Sequence, residues 1–278
     1  MDFTMRIITQ LLTGFALTIG MAGIAHAGLI QFNLTDPDFR SGIYNSTYAK
    51  QYNYQESDVG LAVTGWSYGT KTTTTKTCTQ KDRKGTCTKY KTTTTTGVNE
   101  SIEQEYVGKW EGLGVEKTDS PNHAIDNESG DFDMLLLSFD EAIKLLSLDL
   151  GWISGDSDVS LLAFNGTSFN SSSLLGKKWQ DLIGNGWQSV GNYQNVDYGS
   201  NSGNVNSSGI IAQYWLVGAY NDKLGGYTDL NKNLSNGNDY FKLKGLVVEL
   251  PPVELPEPGP LLLLALGLLG IGLRRRAA

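Results

Sequence analysis

Between its two ends this chain alternates apolar and polar positions with a period of two, and helical periodicity is nearly absent. From Ile102 to Trp110, the residues Ile102, Tyr106 and Trp110 share one face, with Glu103, Glu105 and Lys109 on the other. Leu146, Leu148, Leu150 and Trp152 share a face opposite Ser147 and Asp149. Phe132 to Phe139 and Ile210 to Val217 are almost wholly apolar, as strands covered on both faces should be. Val159 to Phe164 reads as a further strand, and Tyr240 to Leu250 as the last, where Lys242 and Lys244 face away from Phe241 and Leu243. Gly, Asn, Ser and Thr bound these runs and predict turns. Asn165–Ser173 and Gly191–Gly209 read as loops, the second long for a compact domain. The pattern predicts an all-β fold over residues 28–250, an antiparallel β-sandwich of jelly-roll type, with chain enough for a sizeable core.

Both ends break the pattern. Residues 1–27 carry Arg6, an apolar or small run from Ile7 to Ile24, and Ala25-His26-Ala27, the small-x-small sequence that signal peptidase cleaves. That order predicts a secretory signal peptide, with Gly28 as the first mature residue. At the other end, residues 251–258 hold Pro251, Pro252, Pro256 and Pro258 and form a stiff linker. Residues 259–273 are uncharged and apolar, and as a helix they would reach about 22 Å. That is short for a membrane span, but bilayer thinning and snorkelling arginines close the gap. Arg274, Arg275 and Arg276, in the basic tail 274–278, hold this end in the cytoplasm and leave the body outside. On chemistry alone, a permanent anchor and a removable tail fit this segment equally.

Composition then bounds the partners. The 278 residues hold 22 Lys+Arg against 29 Asp+Glu, a formal charge of -7, which suits one domain or two and disfavours nucleic acid. Removing residues 1–27 and 256–278 takes away four basic and two acidic groups, so the body carries 18 against 27, near -9.

That charge is unevenly spread. Residues 68–97 are rich in threonine and lysine and nearly mirror themselves about a turn at Lys81-Asp82-Arg83-Lys84, which sets Cys78 opposite Cys87 and Thr72 opposite Thr93. Threonine favours strands, and both faces of each arm are polar, so a hairpin projecting into solvent is predicted. In an oxidising compartment a Cys78–Cys87 disulfide closes it, contributing on the order of 2–3 kcal/mol. Lys71, Lys76, Lys81, Arg83, Lys84, Lys89 and Lys91 against Asp82 make this ribbon +6 and leave the rest of the body at -15. Such a ribbon suits an anionic partner, an exopolysaccharide above all.

Oxygen-bearing side chains gather on two turns before strands, Asp126, Asn127 and Asp131 on one and Asp156 and Asp158 on the other. Together they are candidate ligands for a structural Ca²⁺, which takes six to eight oxygens. The spacing is not that of an EF-hand, and Asp at turns also caps its own backbone without a metal. No other cofactor is expected. Catalytic residues are not identified. His123 is the one histidine beyond the signal, and there is no Gly-x-Ser-x-Gly elbow. Carboxylate pairs for cleaving glycans remain available, so a carbohydrate-active hydrolase or lyase is the alternative to a non-enzymatic protein.

Two resemblances extend this reading. Pro256-Glu257-Pro258-Gly259, followed by the Leu/Gly apolar run and the terminal Arg274, Arg275 and Arg276, resembles the PEP-CTERM sorting signal of Gram-negative bacteria over about residues 254–276. The resemblance implies that an exosortase recognises and removes the tail. The body would be anchored transiently in the inner membrane and then delivered to the cell surface or extracellular matrix of a biofilm. The stretch His123-Ala124-Ile125-Asp126-Asn127 … Asp131 to Phe139, with Leu148-Asp149-Leu150-Gly151-Trp152 … Gly155-Asp156-Ser157-Asp158, resembles exosortase-dependent surface proteins of the XDP1 type. That likeness carries no catalytic residues. The expectation is a non-enzymatic exported protein, structural or adhesive, with signal peptidase and exosortase as its export partners.

Overall fold

A computed structural model describes residues 28–68, 70–98, 101–116, 123–199, 203–225 and 233–252. The readings of 1–27, of the sorting residues Pro256, Glu257 and Pro258, of the segment 259–273 and of the tail with Arg274, Arg275 and Arg276 lie outside them. Gly28–Pro251 form one compact unit. Its described strands are β1 (Leu29–Asn33), β2 (Phe39–Ile43), β3 (Tyr48–Glu56), β4 (Val59–Tyr68), β5 (Thr70–Lys81), β6 (Cys87–Val98), β7 (Glu103–Lys109), β8 (Leu113–Glu116), β9 (Ile125–Asp126), β10 (Phe132–Gly155), β11 (Val159–Phe164), β12 (Trp187–Tyr193), β13 (Ala212–Ala219) and β14 (Asp239–Glu249). The all-β, antiparallel expectation holds for every pairing between these strands.

One continuous sheet makes the body. Six of its strands, β14-β8-β7-β3-β4-β10, close into a ring because β10 also pairs with β14. β13, β11 and β12 extend the sheet from the far edge of β10, while β1 lies along β14 and β2 along β3. The closed ring replaces the jelly-roll path expected from the run spacing. Ring closure leaves fewer open edges than a two-sheet layout would.

β10 explains the closure. Its 24 residues merge the two strands expected at Phe132–Phe139 and Leu146–Trp152. The first half pairs with β4 and β13, the second with β14, and the register shifts between Ser138 and Ile143 and again between Leu145 and Ser147. The second shift makes Leu146 a bulge residue, so Leu145 and Leu148 share the core that simple alternation would have given to Leu146 and Leu148. A bulge bends and twists its strand, which lets one strand serve two parts of the ring.

Two hydrophobic clusters flank the sheet. Leu135, Leu137 and Phe139 enter the larger one, inside the ring and beneath its extension, with Trp215 and Val217 of β13 and Leu161 of β11. Phe132, Met134 and Leu136 point the other way, with Leu216 and Leu162, into a second cluster. That cluster is roofed by Leu174 of the 3-10 turn Ser171–Leu174 and by Trp179 and Leu182 of the helical turn Trp179–Leu182. The apolar run at Phe132 is therefore covered on both sides, as its sequence suggested, whereas the run from Ile210 enters the sheet only at Ala212 and leaves Ile211 half exposed. Buried tryptophans keep their N–H groups paired: Trp179 Nε1 donates to the Phe132 carbonyl at 2.9 Å and Trp215 Nε1 to that of Ala212 at 2.9 Å.

The loop reading of Gly191–Gly209 was too long, since β12 runs to Tyr193. Beyond it the backbone is tied down, with Leu148 N donating to Gly203 O and Val205 N to Leu146 O, both at 2.9 Å. Several Asn-x-Ser/Thr sequences are local turns. The Oδ1 atoms of Asn33, Asn45 and Asn170 each accept the backbone N–H two residues on.

β5 and β6 pair only with each other and stand apart as a two-stranded sheet, so the predicted hairpin forms. Its register differs from the mirror reading by three: Thr72 opposes Thr96, and Cys78 opposes Tyr90. The turn lies further along. Asp82 Oδ1 accepts the N–H groups of Lys84 and Thr86, both at 2.8 Å, and Gly85 takes φ +84°. This Asp-x-x-Gly turn outcompetes one centred on Asp82-Arg83, because only the longer turn gives the aspartate its capping bonds and puts glycine at positive φ. Cys78 and Cys87 are still bonded, across a Cα separation of 5.8 Å.

Two outcomes follow from this packing. An added Cβ at Gly151 would lie 1.7 Å from the Glu111 carbonyl oxygen. Gly151→Ala is therefore expected to cost about 1–3 kcal/mol and to lower the thermal midpoint. Replacing both cysteines with serine should instead leave the body's stability unchanged within about 0.5 kcal/mol, while amide exchange in the ribbon speeds up. Paired calorimetry and hydrogen exchange on the two variants check both.

Candidate functional site

β10 ends at Gly155, which turns at φ +74° and delivers Asp156 beside the first residue of β14 through a bridge between Asp156 and Asp239. Asp158 follows just before β11. One carboxylate oxygen from each of Asp156, Asp158 and Asp239 lies within 4.8 Å of the others. Asp158 and Asp239 are wholly buried.

Each buried carboxylate is held by donors from other segments. Asp239 Oδ1 accepts the Asp158 N–H at 2.8 Å, and Oδ2 accepts the Asn127 amide at 2.5 Å. Asp158 Oδ1 accepts the Asn195 N–H at 2.8 Å, and Oδ2 that of Ser235 at 3.2 Å. Asn127 Oδ1 in turn accepts the N–H of Gly237 at 2.9 Å and of Asp239 at 3.1 Å. The cluster thus laces the turn at 127 and the segments at 156–158, 195 and 235–239 into one knot.

Burial raises both acids. Asp239 is pushed up to about 8 by loss of water and by the neighbouring Asp158 and Asp156 charges, against hydrogen bonds that favour its ionised form. Asp158 rises to about 6, first through burial and then through Asp156, again against the bonds from Asn195 and Ser235. Carboxylates this close do not all ionise without compensation. A shared proton provides it, and so would a cation held by Asp156, Asp158 and Asp239.

The structure brings together three of the five residues expected on sequence grounds: Asp156, Asp158 and, through its bonds to Asp239, Asn127. Asp126 is turned to a local task, accepting the Glu128 N–H at 3.1 Å. Asp131 accepts the Ser67 hydroxyl at 2.8 Å, away from the triad. Asp239 was missed. Its signal was there, an acidic residue immediately before a strand, as Asp158 is before Val159.

In the ribbon, Lys76, Lys81, Arg83, Lys84, Lys89 and Lys91 are all exposed, while of Lys71 only the backbone pairing with Gly97 is described. Aromatic side chains stack on sugar rings only where they are exposed. Tyr52, Tyr54, Trp179 and Trp187 are buried, so they belong to the core, whereas Tyr44 and Tyr198 are exposed.

Comparison with known proteins decides what the C-terminal end is. Residues 254–276 match the PEP-CTERM protein-sorting motif. A sorting motif of this kind is therefore present near the C-terminus, consistent with an exosortase-dependent surface protein, and it implies export and surface localisation. No curated protein and no solved structure matches the chain. Among the described residues no helix is long and apolar enough to cross a membrane, and the apolar segment of the PEP-CTERM motif lies outside them.

The raised acids give the cluster a pH signature. A carboxyl group whose folded value lies above its unfolded one near 4 holds a proton that the unfolded chain has lost. Stability is then full below about pH 4 and falls as pH rises through 6 and 8. In chelator, the thermal midpoint should drop by on the order of 5 °C between pH 5 and 8. Asp239→Asn should flatten that decline, and millimolar Ca²⁺ should oppose it at pH 8 if the triad takes a cation. Differential scanning calorimetry across this range checks the sign.

Proposed function

We propose that this chain is a non-enzymatic surface or matrix protein, structural or adhesive, that holds anionic exopolysaccharide through its Thr/Lys ribbon. Its sorting is read as follows. Signal peptidase removes 1–27. Gly259–Leu273 anchors the body transiently in the inner membrane, with Arg274, Arg275 and Arg276 on the cytoplasmic side. An exosortase then cuts at the Pro-Glu-Pro region. The XDP1-type resemblance of the body points the same way.

The observation that carries the adhesive reading is the ribbon itself. Six exposed cations stand on a hairpin that pairs with no other described strand. A core function would not need them there. A long, polar, twisted ribbon presents charge at intervals along a polymer, and its field is strongest at low salt.

The acidic triad favours a second role for Asp156, Asp158 and Asp239, as ligands of a structural Ca²⁺ that fastens the knot of loops, with Asn127 bracing Asp239. It supports a glycan-cleaving enzyme less well. A hydrolase needs its two carboxyl groups on a groove that a sugar can enter, and Asp158 and Asp239 are wholly buried.

Co-sedimentation with isolated acidic exopolysaccharide tests the ribbon. The exported protein should bind at low ionic strength and release near 0.5 M salt, where the Debye length is only about 4 Å. Changing Lys76, Lys81, Arg83, Lys84, Lys89 and Lys91 to glutamine should weaken binding at least tenfold. Equal binding by this variant removes the ribbon from the reading.

A further inference from the structure

On the outer face of the barrel, Thr47, Tyr48, Gly108, Lys109, Trp110, His123 and Lys242, none of them a ribbon or triad residue, line a recess of about 300 Å³. Lys242 lies on the face of β14 opposite Phe241 and Leu243, as alternation requires. It does not reach freely into water, as its sequence position suggested. It is 2 % exposed, and its Nζ sits 4.8 Å from the centre of the Trp110 ring. Trp110, at the turn between β7 and β8, is itself 52 % exposed.

This lysine is a charge without a matching counter-ion. No described residue forms an ion pair with it, although Lys144, Lys223 and Lys244 each have one. Burial pushes it down to about 8, and Glu111 only partly restores it. Lys109 does not compete for the recess, because its Nζ donates to the Thr35 carbonyl at 3.0 Å. On the other wall His123 packs edge-on against Tyr48, ring centres 5.2 Å apart, and its Nδ1 is buried with no hydrogen-bond partner. Lys242 Nζ, with no described ion-pair partner, therefore lies beside one exposed aromatic ring.

Backbone geometry keeps the space clear. A Cβ at Gly108 would stand 2.7 Å from Tyr48 Cε1, and one at Gly112 would stand 3.0 Å from the Lys242 Cβ. Glycine at these two positions lets Tyr48 and Lys242 lie where they do.

We propose that this recess binds one carboxylate-bearing sugar ring, a uronic acid unit, with its carboxylate on Lys242 Nζ and its apolar face against Trp110. Sugar rings stack their C–H faces on exposed aromatics, and a buried ammonium next to that platform selects an acidic ring over a neutral one. The volume stands at the lower end of small-ligand pockets, about 300–1,000 Å³, and so suits a single ring. The inference rests on the reading that the body meets acidic glycan and names the unit recognised. It uses a surface separate from the ribbon, so either can fail alone.

Titration calorimetry of the full exported protein tests it, with methyl glucuronoside, methyl glucoside and acetate as probes. The uronoside should bind saturably, and the glucoside and acetate at least about tenfold more weakly, the effect of losing one charge-assisted bond or the stacking face. Lys242→Met and Trp110→Ala should each weaken the uronoside at least tenfold. Trp110 is exposed, so its variant remains informative even if the lysine variant fails to fold. The glutamine ribbon variant should bind the uronoside unchanged. Equal binding of uronoside and glucoside, full binding by Trp110→Ala, or no saturable uronoside binding at all would each overturn the proposal. Loss of uronoside binding in the ribbon variant would also overturn it, by placing the contact on the ribbon.

Discussion

Everything in this body hangs on β10 being hydrogen-bonded to different partners through its two halves. Its first half is gripped by β4 and β13 and its second by β14. The second pairing turns an open sheet into a ring. Burial follows from the same strand, since the side chains of its first half alternate between the two hydrophobic clusters and the buried ones of its second half enter the larger. An unpaired backbone group in such a place would cost as much as a lost hydrogen bond. Pairing of both halves of one long, bent strand is thus the condition on which both cores rest.

The acidic knot is attached to that strand's end, and this placement makes its chemistry intelligible. Asp156 and Asp158 leave β10 and enter β11, and Asp239 begins the strand that closes the ring. Their carboxylates receive N–H groups that the irregular loops would otherwise leave unpaired. Loop order comes at the expense of burying charge, and the raised acids record that cost. The recess at Lys242 shows the same compromise from the basic side, a desolvated ammonium resting against an aromatic ring.

Ribbon and body divide the work by opposite physics. The body is held by apolar burial and is acidic. The ribbon has polar faces, a disulfide and a net positive charge, and its strands find only each other. A two-stranded ribbon in water has little intrinsic stability, so the Cys78–Cys87 bond and the Asp82 turn hold its tip where burial cannot. This separation lets charge vary on the ribbon without penalty in the core.

By itself the sequence determined the things that depend on local pattern. Period-two alternation and doubly apolar runs marked Glu103–Lys109, Phe132–Phe139, Val159–Phe164 and the final strand, and paired cysteines within a threonine repeat marked the hairpin. The linear order of Pro-Glu-Pro, apolar run and arginines marked the sorting motif, because such a signal is read as a stretch of chain. Tertiary structure decided whatever depends on distant segments meeting. The bulge at Leu146, the three-residue shift of the ribbon register and the ring closure are choices among pairings that the local pattern leaves nearly equal. Asp239 joined Asp156 and Asp158, and Lys242 met Trp110 and His123, only because β14 returns across the barrel to the end of β10 and the β7–β8 turn. Over 80 residues of chain separate Asp158 from Asp239, and no period in the sequence spans such a distance.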